Sequence, residues 1–281
     1  MNTNKNNISK TSKLGKKIKI KKIKASSGKA EVVDIIPFEL ILIISLNNNI
    51  ISTISCSPVN LIELTIGYLI NNGYIKNYSD LKLLKICNQN IENIISRNGL
   101  SLKIKVTATT DENKSRRPDS LKSISLECGN IDDFIFKKGL NKLKNNLKVS
   151  SDSILGLNMK ATGSQKYKKE FGGLHSAALF DKNGNLLNIT EDIGRQNCID
   201  KILGYMLIKN LSSQDKIIFT TGRLGIDLVY KICKMKIPII VTNSSVTFSA
   251  VAFAKKMNLT VIGYARGGRF NIYSTPRRII K

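Results

Sequence analysis

Five cysteines, at positions 56, 87, 128, 198 and 233, are the side chains of this sequence best suited to covalent chemistry. Cysteine chemistry starts from the thiolate, which is the nucleophilic form of this side chain. Cys128 has the most accessible setting, because a polar segment precedes it and Gly129 follows it. A loop cysteine is also commonly incidental, so Cys128 is a candidate nucleophile. Cys56 also falls in a predicted loop, and the apolar or helical contexts of the other three predict core positions: Cys87, Cys198 and Cys233.

Three short segments carry residue types suited to binding an anion. They are Thr221-Gly222-Arg223, Asn243-Ser244-Ser245 and Arg266-Gly267-Gly268-Arg269, and each follows an apolar run. Arginine grips phosphate with paired hydrogen bonds, glycine permits close backbone approach, and helix N-termini favour anions. Ordinary turns also contain Gly and Ser. Three such segments together favour a phosphate-bearing ligand over ordinary turns.

The only histidine, His175, opens a predicted strand after Phe171-Gly172-Gly173-Leu174. A lone histidine is more often structural than catalytic. The second strand of the same predicted hairpin leads into Glu191-Asp192-Ile193-Gly194-Arg195-Gln196-Asn197, which suits either a helix start or a polar site. With one histidine and no close cysteine pair, we expect no metal site.

The elements that must position these residues form a β-α-β-α-β pattern in the C-terminal half. The sequence predicts strands at 216–221, 237–242 and 259–265 and helices at 224–234 and 246–257. Near-continuous apolar runs are typical of parallel strands that helices cover on both faces. Ligands of parallel sheets bind beyond the carboxyl ends of the strands, so the three segments are expected to share one edge. The predicted fold class is α/β.

The N-terminal part is organised differently. Residues 1–30 contain ten lysines and no acid, which predicts a disordered basic tail. We expect the chain to continue with two strands around Asn47-Asn48-Asn49 and a helix from about Asn60. Further short strands and a mobile polar loop at 107–123 then follow. We therefore divide the chain into a tail (1–30), an N-terminal α+β subdomain with the mobile loop (31–125), and the reactive-cysteine loop with an α/β ligand-binding domain (126–281).

The formal charge is +25, from 45 Lys and Arg against 20 Asp and Glu. An AT-rich genome raises lysine content without any partner, and the tail lacks the arginines and aromatics of nucleic-acid readout. We therefore expect no nucleic-acid partner, with a nucleic-acid contact or a transit peptide as the weaker alternatives. Without a secretory signal or a bilayer-spanning apolar run, we expect a cytoplasmic protein with free thiols and no membrane contact.

Several segments of the chain together resemble the FdhD family, the sulfur carriers required for formate dehydrogenase activity. The resemblance runs from about Pro37 to the C-terminus and depends on the order and spacing of the segments. They are Ser57-Pro58 with Glu63-Leu64-Thr65-Ile66-Gly67-Tyr68-Leu69; Glu127-Cys128-Gly129; Gly172-Gly173-Leu174-His175-Ser176-Ala177-Ala178-Leu179-Phe180; Glu191-Asp192-Ile193-Gly194-Arg195-Gln196-Asn197 with Asp200-Lys201; Thr221-Gly222-Arg223; and Ile262-Gly263-Tyr264-Ala265-Arg266-Gly267-Gly268-Arg269-Phe270-Asn271-Ile272-Tyr273-Ser274.

The resemblance implies a cytidine-deaminase-like layered α/β fold with a mainly parallel C-terminal sheet, a smaller N-terminal α+β part and no zinc chemistry. It implies a sulfurtransferase of the carrier kind. Cys128 takes sulfur from a cysteine desulfurase as a persulfide and passes it to the molybdenum bis-molybdopterin guanine dinucleotide cofactor before that cofactor enters formate dehydrogenase. We also expect a homodimer. The cofactor, as bound substrate, is expected at Tyr264, Ala265, Arg266, Gly267, Gly268, Arg269, Gly222, Arg223, His175, Asn243 and Ser244.

The sequence departs from the family pattern at several of these segments. Ile131 stands where many relatives have a second loop cysteine, so release of sulfur must depend on another reductant or on Cys56. Gln196 replaces a histidine, Asp227 a glutamate and Phe171 a threonine. The alternative function is a chaperone that binds and delivers the cofactor without moving sulfur.

Overall fold

The computed structural model describes residues 14–24, 28–87, 101–109 and 139–281. Cys128 and Ile131 lie outside the described residues, as does the predicted mobile loop beyond residue 109. Across the described ranges, no helix has the length and apolar character needed to cross a membrane.

The described residues form fourteen β-strands and six α-helices. The strands are β1 (Gly15–Lys24), β2 (Gly28–Pro37), β3 (Leu40–Leu46), β4 (Asn49–Cys56), β5 (Leu81–Cys87), β6 (Ser101–Ala108), β7 (Val149–Ser150), β8 (His175–Asp181), β9 (Leu186–Asp192), β10 (Lys216–Thr220), β11 (Ile239–Thr242), β12 (Thr260–Arg266), β13 (Arg269–Ser274) and β14 (Ile279–Ile280). The α-helices are α1 (Leu61–Asn71), α2 (Ser151–Ser164), α3 (Tyr167–Phe171), α4 (Arg195–Ile208), α5 (Ile226–Lys234) and α6 (Phe248–Lys256).

The C-terminal domain is built on a six-stranded sheet with the order β13-β12-β11-β10-β8-β9. The predicted β-α-β-α-β unit is confirmed, because β10, β11 and β12 are parallel neighbours. The prediction of a mainly parallel sheet is wrong, because the other three neighbouring pairs are antiparallel. The chain turns back through Asn183-Gly184 and through Gly267-Gly268, and connections this short join only antiparallel strands.

Helices cover both faces of this sheet, as the apolar strands predicted. Ile218 and Ile240 point into the core beneath α4, α5 and α6. Ile217 and Phe219 point the other way, into the core that α2 covers. Alternate strand residues therefore face two separate cores, and this is why the strands are apolar throughout.

The N-terminal subdomain is a four-stranded sheet, with the order β4-β3-β6-β5, packed against α1. It joins the C-terminal domain where α1 crosses α4. A Cβ atom placed on Gly67 would lie 1.9 Å from the Asp200 carbonyl oxygen, and one on Gly204 would lie 2.0 Å from that of Glu63. The two helices are therefore in direct backbone contact, which only glycine permits.

The prediction that residues 1–30 form a disordered tail is wrong for Gly15–Lys24 and for 28–30. There β1 and β2 pair in antiparallel register over ten residues, with Ile20 opposite Val32. Isoleucine recurs among the lysines, and β-branched residues favour extended backbone. We call β1 and β2 the basic ribbon. Residues 1–13 and 25–27 lie outside the described residues.

Candidate functional site

The ends of β10 and β11 are joined by hydroxyl hydrogen bonds at the predicted edge of the sheet. The Gly222 N–H donates to Thr220 Oγ1 at 3.2 Å, and the Ser244 N–H donates to Thr242 Oγ1 at 3.0 Å. Thr242 Oγ1 in turn donates to the Gly222 carbonyl oxygen at 2.8 Å. The segments at 221–223 and 243–245 are thus adjacent and mutually braced.

The end of β12 is held against the same place. The Tyr264 N–H donates to the Ser244 carbonyl oxygen at 3.0 Å, and the Leu224 N–H donates to that of Ser245 at the same distance. Tyr264 has a φ of 52°, in the left-handed region, at an irregularity in the pairing of β12 with β13. A non-glycine residue held in this region is strained, and such strain is concentrated at functional sites. The predicted convergence of three segments at one edge is confirmed.

Three exposed arginines give this edge its charge. Arg266 and Arg269 face each other across the two-residue turn of Gly267 and Gly268, whose φ angles are 62° and 71°. Positive φ at both central positions is the geometry of the tight hairpin turn, which glycine adopts without strain. Arg223 is exposed on the neighbouring segment. In the part of the chain that the structure describes, none of these three guanidinium groups pairs with a carboxylate.

His175 lies at the same edge, at the start of β8. The next residue, Ser176, exchanges two 3.0 Å hydrogen bonds with Thr221: its N–H donates to the Thr221 hydroxyl, and its carbonyl accepts from the Thr221 N–H. Half-burial lowers the pKa of His175, and the positive charges of Lys168 and Arg195 lower it further. The imidazole is therefore neutral near pH 7, and it can accept as well as donate a hydrogen bond.

The remaining predicted contact residues differ in what they can offer a ligand. Asn243 is tied to α2, because its amide donates to Asn158 Oδ1 at 3.2 Å. The Ala265 side chain is buried in the core beneath α2, so only its backbone can meet a ligand. Phe248, which sequence reasoning missed, begins α6 and is 88% exposed. Its only signal is its place directly after the 243–247 turn.

Glu191 and Asp192 are buried, and their carboxylates make structural hydrogen bonds. Of the two roles that the sequence left open, a helix start or a polar ligand site, the structure supports the structural role for both. Glu191 accepts hydrogen bonds from three consecutive backbone N–H groups at the start of α3, of 2.7 to 3.0 Å. Asp192 accepts from the Ser57 N–H, the Gly194 N–H and the Asn197 amide, and pairs with Lys201 at 2.6 Å. These acids fix the turns around the edge.

Two fully buried lysines were not anticipated from the sequence. Lys201 pairs with Asp192, and Lys231 pairs with Asp200 at 2.6 Å. Asp200 also accepts from the Asn71 amide at 2.7 Å, which links α1 to α4 and α5. A buried charge without a partner is very costly, so each pair fixes how its elements meet. The partners lie far apart in sequence or on other elements, and local patterns give no sign of them.

Two departures from the family pattern contact each other. The Gln196 amide donates to Asp227 Oδ2 at 2.6 Å, and Arg195 approaches the same oxygen at 3.4 Å. Gln196 opens α4 and Asp227 lies in the first turn of α5. Gln196 therefore has an acceptor carboxylate on α5, and this hydrogen bond joins the starts of the two helices.

The structure limits which cysteines can react. Cys56 ends β4 and is fully buried, which corrects its placement in a loop. Burial, with Asp192 nearby, raises its pKa to about 12, so it carries almost no thiolate at pH 7. Burial likewise raises the pKa of Cys198, and that of Cys233 to about 12. Cys87 is only half-buried, so its predicted core position is wrong.

Comparison with known proteins agrees with this architecture. The FdhD/NarQ family model matches residues 37–280. A sulfur carrier protein FdhD from Sulfolobus acidocaldarius is 32% identical over 265 residues, 94% of this chain and 98% of that protein. One from Bacillus subtilis is 29% identical over 253 residues, 89% of this chain and 92% of that protein. The crystal structure of a candidate formate dehydrogenase accessory protein from Desulfotalea psychrophila has a TM-score of 0.76 and 26% identity, covering 95% of this chain and 100% of that chain. The chain belongs to the FdhD/NarQ family.

Proposed function

We propose that this protein carries sulfur to the molybdenum cofactor during formate dehydrogenase maturation. Cys128 accepts sulfur from a cysteine desulfurase as a persulfide, and the sulfur passes to the bis-molybdopterin guanine dinucleotide cofactor before it enters the enzyme. Curated relatives bear the name sulfur carrier protein FdhD. The observation that carries the proposal for this chain is the meeting of three segments at one sheet edge, with three arginines that pair with no carboxylate among the described residues.

The edge suits a ligand with phosphates and nucleobases. Arg223, Arg266 and Arg269 offer planar donors that pair with phosphate oxygens. No carboxylate of the described residues pairs with them, so no ion pair within that part of the chain has to break when a ligand binds. The Tyr264 ring is partly exposed among them, and an aromatic face stacks on a base. The cofactor carries both chemical groups and is the substrate of the carrier.

The uptake step is a displacement at sulfur. The Cys128 thiolate attacks the outer sulfur of the desulfurase persulfide, a new S–S bond forms, and the desulfurase cysteine leaves as its thiolate. Release of the terminal sulfur as sulfide consumes two electrons. Cys56 is an unsuitable donor of them, because it is buried and its pKa is about 12. Because Ile131 stands where many relatives have a second cysteine, we assign the two electrons to another reductant.

The uptake step is tested by intact mass and peptide mapping after incubation with a cysteine desulfurase and cysteine. We expect one added sulfur on Cys128, removed by a thiol reductant and absent from Cys128→Ala. Cys87→Ala is the matched control, because Cys87 is also incompletely buried, and it should take up sulfur normally. Uptake that persists in Cys128→Ala, or no uptake at all, contradicts the carrier function.

The binding step is tested with GDP as a probe for one end of the cofactor. We expect Arg266→Ala and Arg269→Ala each to weaken GDP binding about tenfold, the order of a hydrogen-bonded charge contact. Arg277→Ala is the control, because Arg277 is exposed and bonded to Asn258 away from this edge. GDP binding without sulfur uptake would favour the delivery-only chaperone.

A cytoplasmic location and a homodimeric state also belong to the proposal, and both come from the sequence. Light scattering of the purified protein tests the dimer, and fractionation of the source cells tests the location. A monomer or a membrane-associated protein would contradict the corresponding part.

A further inference from the structure

The basic ribbon stands apart from the rest of the fold. Its two strands form a sheet of their own, paired to no other strand among the described residues. Contact with the body is at its open end, where Gly15 packs on the Phe171 ring and the Phe38 N–H donates to the Leu14 carbonyl oxygen. Ten residues of antiparallel strand extend about 30 Å, so the ribbon forms an arm.

One face of the ribbon combines positive charge with exposed apolar side chains. Lys17, Lys19 and Lys21 lie on the same face, because side chains alternate along a strand. Val33, opposite Lys19, and Ile23 share that face and are 62% and 70% exposed. From Gly15 to Pro37 the chain has seven lysines and two acids, so the net charge is 7 − 2 = +5.

A ribbon of this kind is poorly stabilised by itself. An isolated two-stranded hairpin is marginally stable in water, and its two open edges offer unpaired backbone groups. The exposed β-branched side chains of the arm remain in contact with water, so they contribute no hydrophobic stabilisation. These properties are those of a segment that binds a partner.

The root of the arm lies beside the candidate site. Phe171, which contacts Gly15, is followed directly by the segment that leads to His175. The root of the arm and the Phe171 ring that holds it are therefore both next to the edge.

We propose that the basic ribbon is the docking arm for the cysteine desulfurase, through an acidic and partly apolar surface of that enzyme; the inference rests on the proposed function. Apolar side chains do not contact phosphates, and the ribbon lacks arginine and aromatics, so a protein partner fits better than a nucleic acid. A second copy of this chain, at +25, would repel the arm. In the proposed uptake step the sulfur donor is itself a protein, so the desulfurase must dock before its persulfide can reach this chain.

The test measures association of the full-length protein with immobilised cysteine desulfurase at several salt concentrations. We expect the triple variant Lys17→Glu/Lys19→Glu/Lys21→Glu to associate about tenfold more slowly at low salt, and the wild-type rate to fall as salt rises. The control variant, with Lys142→Glu, Lys144→Glu and Lys236→Glu, makes the same charge change at exposed lysines near the opposite edge of the sheet. It should associate like the wild type.

Two further measurements keep the outcomes separate. GDP binding of the triple variant should equal that of the wild type, which shows that the domain is folded. Val33→Ser leaves the charge unchanged but removes an apolar contact, so it should shorten the lifetime of the desulfurase complex severalfold. Equal effects of the triple and control variants, or none from the triple variant, would overturn the inference. Ribbon-dependent binding of single-stranded RNA without ribbon-dependent desulfurase binding would also overturn it. If the desulfurase docks through the ribbon but no sulfur is taken up, the docking role of the ribbon is supported and the carrier function is refuted.

Discussion

Replacing Gly204 by alanine tests the crossing of α1 and α4 most directly. The new Cβ atom would lie 2.0 Å from the Glu63 carbonyl oxygen and 2.6 Å from the Glu63 Cα and carbonyl carbon, all of them backbone atoms. Real Cβ contacts are not shorter than 3.0 Å, so the helices must separate by about 1 Å. Overpacking of this kind costs about 1–3 kcal/mol, whereas alanine in place of glycine gains about 0.5–1 kcal/mol in helix propensity. We expect a net loss of about 1–2 kcal/mol.

Urea unfolding followed by circular dichroism measures this loss as a lower midpoint at an unchanged slope. Gly163→Ala in α2 is the matched control, because a Cβ atom there meets nothing within 4 Å. That variant should gain about 0.5–1 kcal/mol from helix propensity alone. The reasoning fails if Gly204→Ala is as stable as Gly163→Ala, because the close crossing would then be absent.

Three further predictions follow from buried groups. Asp192→Asn leaves Lys201 buried without its carboxylate, and urea unfolding should show a loss of about 3–5 kcal/mol; a loss below 1 kcal/mol would contradict the ion pair. Because the pKa of His175 is lowered by folding, the unfolded state binds its proton first, so stability should fall as pH drops below about 6.5. His175→Gln should reduce this fall, and an unchanged pH profile would argue against it. Cys56 and Cys233, with pKa values of about 12, should not react with iodoacetamide at pH 7.5 in the native protein. Mass spectrometry measures the labelling, and rapid labelling of either cysteine would contradict the prediction.

The parts of the fold that the sequence predicts well are those set by local pattern. Apolar runs separated by amphipathic segments give the parallel unit, and chain direction alone then brings Gly222, Ser244 and Arg266 to one edge. The Asn183-Gly184 pair also predicts its hairpin, because Gly184, with a φ of 76°, takes a left-handed conformation that glycine adopts without strain. The cytidine-deaminase-like layering implied by the family resemblance stays a prediction.

The parts that were missed depend on distant contacts or on competing signals. Cys56 directly precedes Ser57-Pro58, which predicts a loop, but its burial depends on packing that local sequence does not encode. Lys201 lies on a helix with several polar residues, which suggests an exposed position, and its buried partner lies nine residues earlier on a strand. In the ribbon, lysine density predicted disorder, and the recurring isoleucines were the overlooked signal.

The threonines that end β10 and β11 affect how a ligand can bind. Thr220 and Thr242 each accept from the N–H two residues later and donate to a carbonyl of a neighbouring segment. The backbone at this edge is thereby immobilised before any ligand arrives. Ordering a loose side chain or loop on binding costs about 0.5–1.5 kcal/mol for each group fixed. A ligand here meets a preorganised surface, so little of its interaction energy is lost to entropy, and discrimination between ligands depends on shape and charge.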